Sequence, residues 1–118
     1  MWGYIFDKFS AGVSLGYQFT QICFFGHTHV PLAFEKFGDV SGGVYEEIRF
    51  DPGHKYLINV GSVGQPRDGD PRSAFVVYYP DERRVEMHRV EYDIAASQSK
   101  VLEAGLPERL AQRLAFGR

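Results

Sequence analysis

The order of hydrophobic and polar positions predicts a helix near the start of the chain, a series of strands and two final helices. Hydrophobic residues recur at helical spacing at the start, at Trp2, Ile5, Phe6, Phe9 and Val13. This pattern predicts an amphipathic helix over residues 2–10. Gly12 and Gly16 disfavour its continuation, because glycine has a low helix propensity.

Short apolar or alternating runs separated by turn residues predict the strands in the middle of the chain. The predicted strands are 20–25, 31–37, 44–50, 56–62, 73–80 and 85–93. The residues between them indicate turns at GDVSGG (38–43) and DPGHK (51–55) and a loop at residues 64–72. The last two strands flank the short sequence DERR, which predicts a hairpin.

The end of the chain has helix signals. Asp93 is placed to cap a helix over residues 94–103, and Gly105 is placed to end it. Pro107 can open a last helix, whose apolar side would carry Leu106, Leu110 and Leu114. Helices at the two ends of a mostly antiparallel sheet predict the α+β class, in a chain that is one domain or part of one.

Composition narrows the possible functions. The chain is 44% hydrophobic and 24% charged, as in ordinary globular proteins. A net charge of -2 gives no reason to expect nucleic acid or an anionic membrane as a partner. No apolar run approaches the roughly 18 residues of a membrane span, and the first residues lack the basic region of a signal peptide. The single Cys23 excludes an intrachain disulfide and fits a reducing compartment, so we expect a cytoplasmic protein.

The most informative stretch is CFFGHTHVPLAF, residues 23–34. An apolar run ends at Gly26, and His27 and His29 follow with one residue between them. In an extended or turning backbone residues i and i+2 point to the same side, so the two imidazoles would project in one direction. Such a pair can serve two metal ions roughly 3.5–4 Å apart, one imidazole to each. A bare His-x-His pattern is common without any metal, and the surrounding sequence makes this one more specific.

FFGHTHVP, together with the downstream INVGSVGQPRDGDPRSAF, resembles the C-terminal half of a calcineurin-like metallophosphoesterase, of the small bacterial and archaeal phosphodiesterase type. The resemblance implies that residues 1–118 are one partial domain, the C-terminal part of a four-layer α/β/β/α sandwich. It also implies hydrolysis of a phosphodiester or phosphomonoester at a site with two divalent metal ions. His29 would serve the first metal and His27 the second, and Mn, Fe, Zn or Ni could fill the site, since nitrogen ligands do not choose among them.

The resemblance also implies a set of residues near the metals. Gly26 belongs to the histidine motif, and Asn59, Gly61 and Ser62 would lie on the adjoining strand end. The family usually has proline where this chain has Val60. A further interpretation is that Arg67 faces a substrate phosphate, for which guanidinium geometry is well suited. The alternative is that Arg67 and its charged neighbours pair with one another at the surface, the neighbours being Asp68, Asp70 and Arg72.

The remaining family motifs are not present before His27. That part of the sequence offers one acid, Asp7, and neither histidine nor asparagine. A catalytic metal usually needs about three protein ligands and an open position. We therefore expect no catalytic residue in this chain, weak or absent metal binding, and carboxylates and a catalytic histidine supplied by an N-terminal half.

The alternative to an enzyme fragment is a non-catalytic truncated module that folds and self-associates. Strands around residues 22–25, 56–60 and 74–79 would leave an apolar face and a sheet edge uncovered, which favours association. We expect either a homo-oligomer with Trp2, Phe6 and Phe9 in its interface or a complex with the missing half. The other two histidines are interpreted as ordinary, His54 solvated in a turn and His88 at the surface or in packing.

Overall fold

Two β-sheets and a small set of helices form the part of the chain that the structure, a computed structural model, describes: residues 7–118. The helices are α1 (Lys8–Gly16), α2 (Ile94–Glu103) and α3 (Glu108–Gln112), and a 3-10 turn, Arg113–Ala115, follows α3. The strands are β1 (Ile22–Phe25), β2 (Ala33–Phe37), β3 (Asp39–Gly43), β4 (Glu47–Arg49), β5 (Lys55–Asn59), β6 (Ser73–Tyr79) and β7 (Arg84–Val90). No described helix is long and apolar enough to span a bilayer.

The strand order explains which loops come together. The first sheet has the order β1-β5-β2-β3 and the second has the order β4-β7-β6. All pairs are antiparallel except β1 with β5, where Phe25 lies opposite Asn59. Because β1 and β5 are parallel, their carboxyl ends meet at one edge of the sheet. The prediction of an α+β fold is confirmed, with this one parallel pair inside it.

β5 is an internal strand of the first sheet, and side chains pack on both of its faces. Leu57 packs on one side with Phe34 and with Ala11 and Leu15 of α1. Four other large side chains surround Ile58 on the other side, Tyr45, Phe50, Tyr56 and Val85. Burial of one such aliphatic side chain stabilises a fold by about 1.5–3 kcal/mol. This double burial fixes the position of Asn59 at the end of β5.

The first described helix, α1, overlaps only the end of the helix predicted over residues 2–10, and residues 2–6 lie outside the described residues. It begins after Asp7, whose carboxylate accepts the N–H of Ser10 at 2.8 Å as an N-cap, and it continues through Gly12. Ala11 and Leu15 are fully buried, whereas Phe9 is 82% exposed. Packing of this face outweighs the roughly 1 kcal/mol that a glycine costs a helix. Two of the predicted interface residues, Trp2 and Phe6, lie outside the described residues.

The prediction of a turn over residues 38–43 is wrong. Only Gly38, with φ of 75°, turns the chain, and residues 39–43 form β3 against β2. A Cβ atom on Gly42 would lie 2.5 Å from Phe34 Cδ1 and 2.7 Å from Ala33 O. The glycine therefore allows close packing within a strand. The β6–β7 hairpin and the capped helix α2 are confirmed, and α3 follows Pro107 as predicted.

The described part of the chain has open sheet edges. No described strand pairs with the outer edge of β1 or of β6. The adjacent aromatic side chains Phe24 and Tyr78 pack together, with ring centroids 5.5 Å apart, and both stay partly exposed. The radius of gyration is 16.0 Å, compared with about 13.5 Å for a compact domain of this length. The fold is therefore less compact than a complete domain of this size.

Candidate functional site

The predicted site lies where β1 and β5 end side by side. The N–H of Val60 donates to the carbonyl oxygen of Phe25 at 3.1 Å, which extends the strand pairing by one step. Residues 26–31 follow β1 and residues 60–67 follow β5, so both segments begin at the same edge of the first sheet. The parallel pairing thus brings the histidine motif and the Gly-Ser loop together, as the sequence resemblance implies.

Asn59 ties these two segments to each other. Its side chain is fully buried, and Nδ2 donates to Thr28 Oγ1 at 2.7 Å and to the carbonyl oxygen of Gly26 at 3.3 Å. Its Oδ1 accepts the N–H of Gly61 at 2.9 Å. The buried hydroxyl of Tyr45 donates to the backbone carbonyl of Asn59 at 2.8 Å, and burial raises the pKa of that phenol. Asn59 is therefore a positioning residue of this edge.

The backbone of the histidine motif turns sharply. His27 has φ of 79° and His29 has φ of 62°, so both are left-handed and the chain is not extended between them. Of the two backbone forms expected for this motif, extended or turning, the structure therefore has the turning one. A left-handed conformation costs a non-glycine residue about 1–3 kcal/mol and is concentrated at functional sites. Arg83 is the other described non-glycine residue with positive φ, and it lies in a hairpin turn.

The two histidines differ in exposure and in how the structure holds them. His27 is exposed and His29 is half-buried, while Thr28 between them is buried. Nδ1 of His29 lies 2.8 Å from the carbonyl oxygen of Gln65. A carbonyl oxygen can only accept, so in the neutral imidazole Nδ1 carries the proton and Nε2 has the lone pair. Metal-ligating histidines are usually oriented by such a bond from the other ring nitrogen.

The Gly-Ser loop shapes the edge beside His29. Gly61 has φ of 77°, and a Cβ atom there would lie 2.9 Å from the Cβ of Ala74. Ser62 Oγ accepts the N–H of Gln65 at 2.8 Å. Residue 65 then presents its carbonyl to His29, and the N–H of Arg67 donates to the His29 carbonyl at 3.2 Å. The loop and the histidine motif thus hold each other in place from both sides.

Arg67 has no carboxylate partner among the described residues, unlike its charged neighbours. Its Nη2 donates to Gln65 Oε1 at 3.2 Å, whereas its buried Nε has no hydrogen-bond partner in that part of the chain. The guanidinium charge of Arg67 is therefore not neutralised by a carboxylate in the described part of the chain, so it is able to pair with an anion.

The alternative interpretation, that the charged side chains of residues 67–72 all pair with one another, applies only to Asp70 and Arg72. Arg72 and Asp70 pair at 2.7 Å, and the hydrogen bonds from Arg72 lower the pKa of Asp70 to about 2. Asp68 instead pairs with Arg89 of β7. The charges next to Arg67 are therefore occupied by other partners.

The two histidines outside the motif, His54 and His88, were expected to be ordinary surface or packing residues, and only His88 is. The prediction that His54 is solvated is wrong, because its ring stacks on Phe37 and its Nδ1 contacts Glu35. His88 stacks on Phe75 with centroids 5.3 Å apart and remains partly exposed, as a packing residue would. The signal that sequence reasoning missed for His54 is the Asp-Pro-Gly-His turn, which places Asp51 beside it.

Comparisons with known proteins agree with this arrangement. No family model matches the chain. A metallophosphoesterase from Sphaerobacter thermophilus, solved by crystallography, superposes with a TM-score of 0.92 and 44% identity, covering all of this chain and 50% of that one. An uncharacterized protein of Methanocaldococcus jannaschii is 36% identical over 121 residues, covering all of this chain and 47% of that protein. The chain spans about half the length of these relatives. It has the fold of the C-terminal half of a metallophosphoesterase.

Proposed function

We propose that this chain is the C-terminal part of a metal-dependent phosphoesterase, in which His27 and His29 each ligate one of two divalent metal ions. The observation that carries the proposal is the bond between His29 Nδ1 and the Gln65 carbonyl, which leaves Nε2 as the ligand atom. The left-handed backbone at both histidines supports it, since the fold maintains two costly conformations at this one place. The metals are Mn, Fe, Zn or Ni, for which imidazole is a suitable ligand.

Bound divalent ions would supply an activated water and stabilise charge on a phosphoryl group. The chain's own residues hold and orient the site. Asn59 fixes the backbone around Thr28, and Gln65 fixes the His29 ring. Arg67 would bind a phosphate oxygen of the substrate through its guanidinium group, which has no carboxylate partner among the described residues. The substrate class is a phosphate ester, either a diester or a monoester.

The described residues do not complete this site. Among them, the grouping of three or more potential metal ligands lies elsewhere, at Glu35, Asp51 and His54. Asp7, the acid that precedes the motif, caps α1. A catalytic site with about three protein ligands to each metal would therefore draw carboxylates and a catalytic histidine from a second polypeptide segment, such as the other half of the relatives. The chain alone should bind metal weakly and hydrolyse nothing.

A second candidate function is a non-catalytic module that self-associates. The open edges of β1 and β6 favour it, because an unpaired edge invites strand pairing. Exposed aromatic side chains near α1 also favour it, Phe9, Tyr17 and Phe19. Light scattering on a size-exclusion column separates the outcomes: a homo-oligomer supports this candidate, and a monomer contradicts it. Both candidates place the protein in the reducing cytoplasm, where a free Cys23 is stable.

Paramagnetic Mn²⁺ titration followed by NMR tests the metal proposal residue by residue. The chain has four histidines, so single His→Ala variants assign every imidazole signal. We expect Mn²⁺ to broaden the His27 and His29 signals with micromolar or weaker affinity, and the double variant His27→Ala/His29→Ala to lose this binding. His88, far along β7, serves as the matched control and should stay sharp. The proposal would be refuted if Mn²⁺ left the His27 and His29 signals sharp, or broadened them no more than the His88 signal.

Activity is tested with a second polypeptide. The 118-residue chain should show no metal-dependent hydrolysis of a generic phosphodiester by itself. Co-expression with a segment equivalent to the other half of the Sphaerobacter relative should restore turnover that chelator removes. His29→Ala should then abolish turnover while His88→Ala leaves it intact. Hydrolysis by the isolated chain that survives His29→Ala would contradict the proposed roles.

A further inference from the structure

The sequence DPGH forms a tight turn that brings its first and last side chains together. The N–H of His54 donates to the carbonyl oxygen of Asp51 at 3.3 Å, and Gly53 has φ of 82°. A type II turn requires positive φ at its third position, where glycine is favoured, and proline is common at its second. The turn therefore places an imidazole and a carboxylate side by side at the start of β5.

β2 adds a second carboxylate to this pair. Glu35 lies opposite Tyr56 in the β2–β5 register, and His54 precedes Tyr56 by two residues. Residues two apart in an extended chain face the same side of the sheet, so His54 lies on the same face as Tyr56. Glu35, opposite Tyr56, also lies on that face, and His54 and Glu35 therefore meet. Nδ1 of His54 contacts Oε1 of Glu35 directly. The ligand atoms of Glu35, Asp51 and His54 all lie within 4.8 Å of one another.

Neighbouring groups orient the side chains of Glu35 and His54 and hold the backbone of Asp51. The hydroxyl of Tyr56 accepts the N–H of Asp51 at 2.9 Å, so its own proton goes to Glu35 Oε1 at 3.0 Å. The ring of Phe37 stacks on His54 with centroids 4.1 Å apart and planes within 4°. Partners of this kind orient metal ligands and are commonly worth 10–100-fold in affinity. The donors therefore converge before any ion binds.

We propose that Glu35, Asp51 and His54 form a second divalent-metal site, of the kind that takes Zn²⁺. One imidazole nitrogen and two carboxylate oxygens are ligands that Zn²⁺ accepts, with a remaining position for water. The cluster is reachable from solvent, since the side chains of His54 and Glu35 are 21% and 36% exposed. A bound ion would fasten the Asp51–His54 turn to β2.

This site is separate from the histidine motif. His54 precedes β5, whereas Asn59 at the other end of that strand contacts the residues around His27 and His29. A five-residue strand is about 16 Å long, which is too far for a shared ion. The second site can therefore be present or absent independently of the proposed phosphoesterase site. The competing interpretation is that Glu35 and His54 form an ion pair without metal.

Zn²⁺ titration against a chromophoric chelator, in a His27→Ala/His29→Ala background, distinguishes these interpretations. The background removes the histidine motif and leaves His54 and His88. We expect one Zn²⁺ per chain, and a loss of at least about tenfold in affinity on His54→Ala or Glu35→Gln. Zn²⁺ should also raise the melting temperature of the background chain and not that of its His54→Ala derivative.

Two further variants make the test specific. Tyr56→Phe keeps all three ligands and removes only the orienting hydroxyl, so affinity should fall about tenfold while stoichiometry stays at one. His88→Ala removes a histidine that also neighbours a carboxylate, Glu86, at 3.1 Å, and it should change nothing. Circular dichroism of each variant checks that it is folded. The proposal would be overturned by equal Zn²⁺ affinity with and without His54 and Glu35, or by no Zn²⁺ binding at all. Either result would mean that Glu35 and His54 form an ion pair without a metal.

Discussion

The side-chain amide of Asn59 donates a 2.7 Å hydrogen bond to the hydroxyl of Thr28, the residue between the two histidines of the motif. Both residues are buried, and the same hydroxyl accepts the N–H of Val30 at 3.3 Å. One contact therefore connects the end of β5 to a backbone that is left-handed on either side of Thr28. The threonine hydroxyl has a structural purpose that a bare Gly-His-x-His pattern does not reveal.

Replacement of Thr28 tests this connection. Thr28→Val keeps the side-chain shape but leaves Asn59 Nδ2 with the 3.3 Å bond to Gly26 and Val30 N–H without its acceptor. We expect a loss of about 1–3 kcal/mol in the free energy of unfolding, measured by equilibrium denaturation, because buried polar groups lose partners. Weaker Mn²⁺ broadening of the His27 and His29 signals should accompany it. Thr28→Ser retains the hydroxyl and is the control; equal losses for the two variants would show that the hydroxyl is not responsible.

Local sequence signals are sufficient to predict the elements whose residues strongly favour one type of secondary structure. The β6–β7 hairpin follows from two β-rich runs around a short turn, and α2 follows from the Asp93 cap, which accepts the N–H of Ala96 at 3.0 Å. The predicted approach of Asn59 to the histidine motif is also found, because the family resemblance carried information about strand pairing that periodicity does not contain.

The wrong predictions all depend on contacts between distant residues. The local sequence favours a turn at Gly42, yet this glycine lies in a strand and is needed because the Phe34 ring lies over its backbone. The buried face of α1 carries Ala11 and Leu15, since the sheet accepts small and aliphatic side chains there, and the larger Phe9 stays outside. The left-handed histidines could not be predicted, because their conformation is held by hydrogen bonds to residues some 30 positions later.

Gly42 and Gly43 provide a matched pair on β3. A Cβ atom at Gly42 would meet Phe34 and the carbonyl of Ala33, whereas one at Gly43 would meet nothing within 4 Å. Gly42→Ala should destabilise the fold by about 1–3 kcal/mol through overpacking. Gly43→Ala should be neutral or stabilising by about 0.4–1 kcal/mol, because it restricts the unfolded chain. Urea denaturation measures both, and a Gly42→Ala chain as stable as the Gly43→Ala chain would refute this account of β3.

Asp70 should make stability depend on acid pH. Hydrogen bonds from Arg72 hold its folded-state pKa at about 2, below the ordinary value of 3.8. A depressed carboxyl pKa contributes stability that is present above the unfolded pKa and is lost as the pH falls toward the folded one. The stability difference between the native chain and Asp70→Asn should therefore shrink between pH 4 and pH 2. We expect a change of at most about 1 kcal/mol, because solvent screens the pair.

NMR titration of the Asp70 carboxyl provides the direct measurement. Arg72→Ala should raise the pKa of Asp70, since the first cause of its depression is removed. Arg109→Ala removes a positive charge from α3, outside the Asp70 pair, and should leave that pKa unchanged. A pKa of Asp70 that stays near 2 in Arg72→Ala would assign the depression to another group.

The end of the chain supports the loop that carries Arg67. The N–H of Gly69 donates to the carbonyl oxygen of Gly117 at 2.9 Å, and a Cβ atom on Gly117 would lie 2.7–2.8 Å from the backbone of Asp70. Gly117 is buried and has φ of 66°. A side chain at this position would therefore push the last residues away from the loop.

Gly117→Ala should accordingly destabilise the chain more than Gly105→Ala does. Gly105 has φ of 74° and open space around it, so alanine there meets only the left-handed strain, about 1 kcal/mol. Gly117→Ala adds a clash with backbone, for which we expect a further loss of about 1–3 kcal/mol. Amide hydrogen exchange should locate the effect: the Gly69 N–H should lose protection in Gly117→Ala and keep it in Gly105→Ala. Equal stability of the two variants, with Gly69 still protected, would show that the C-terminal residues do not support the loop.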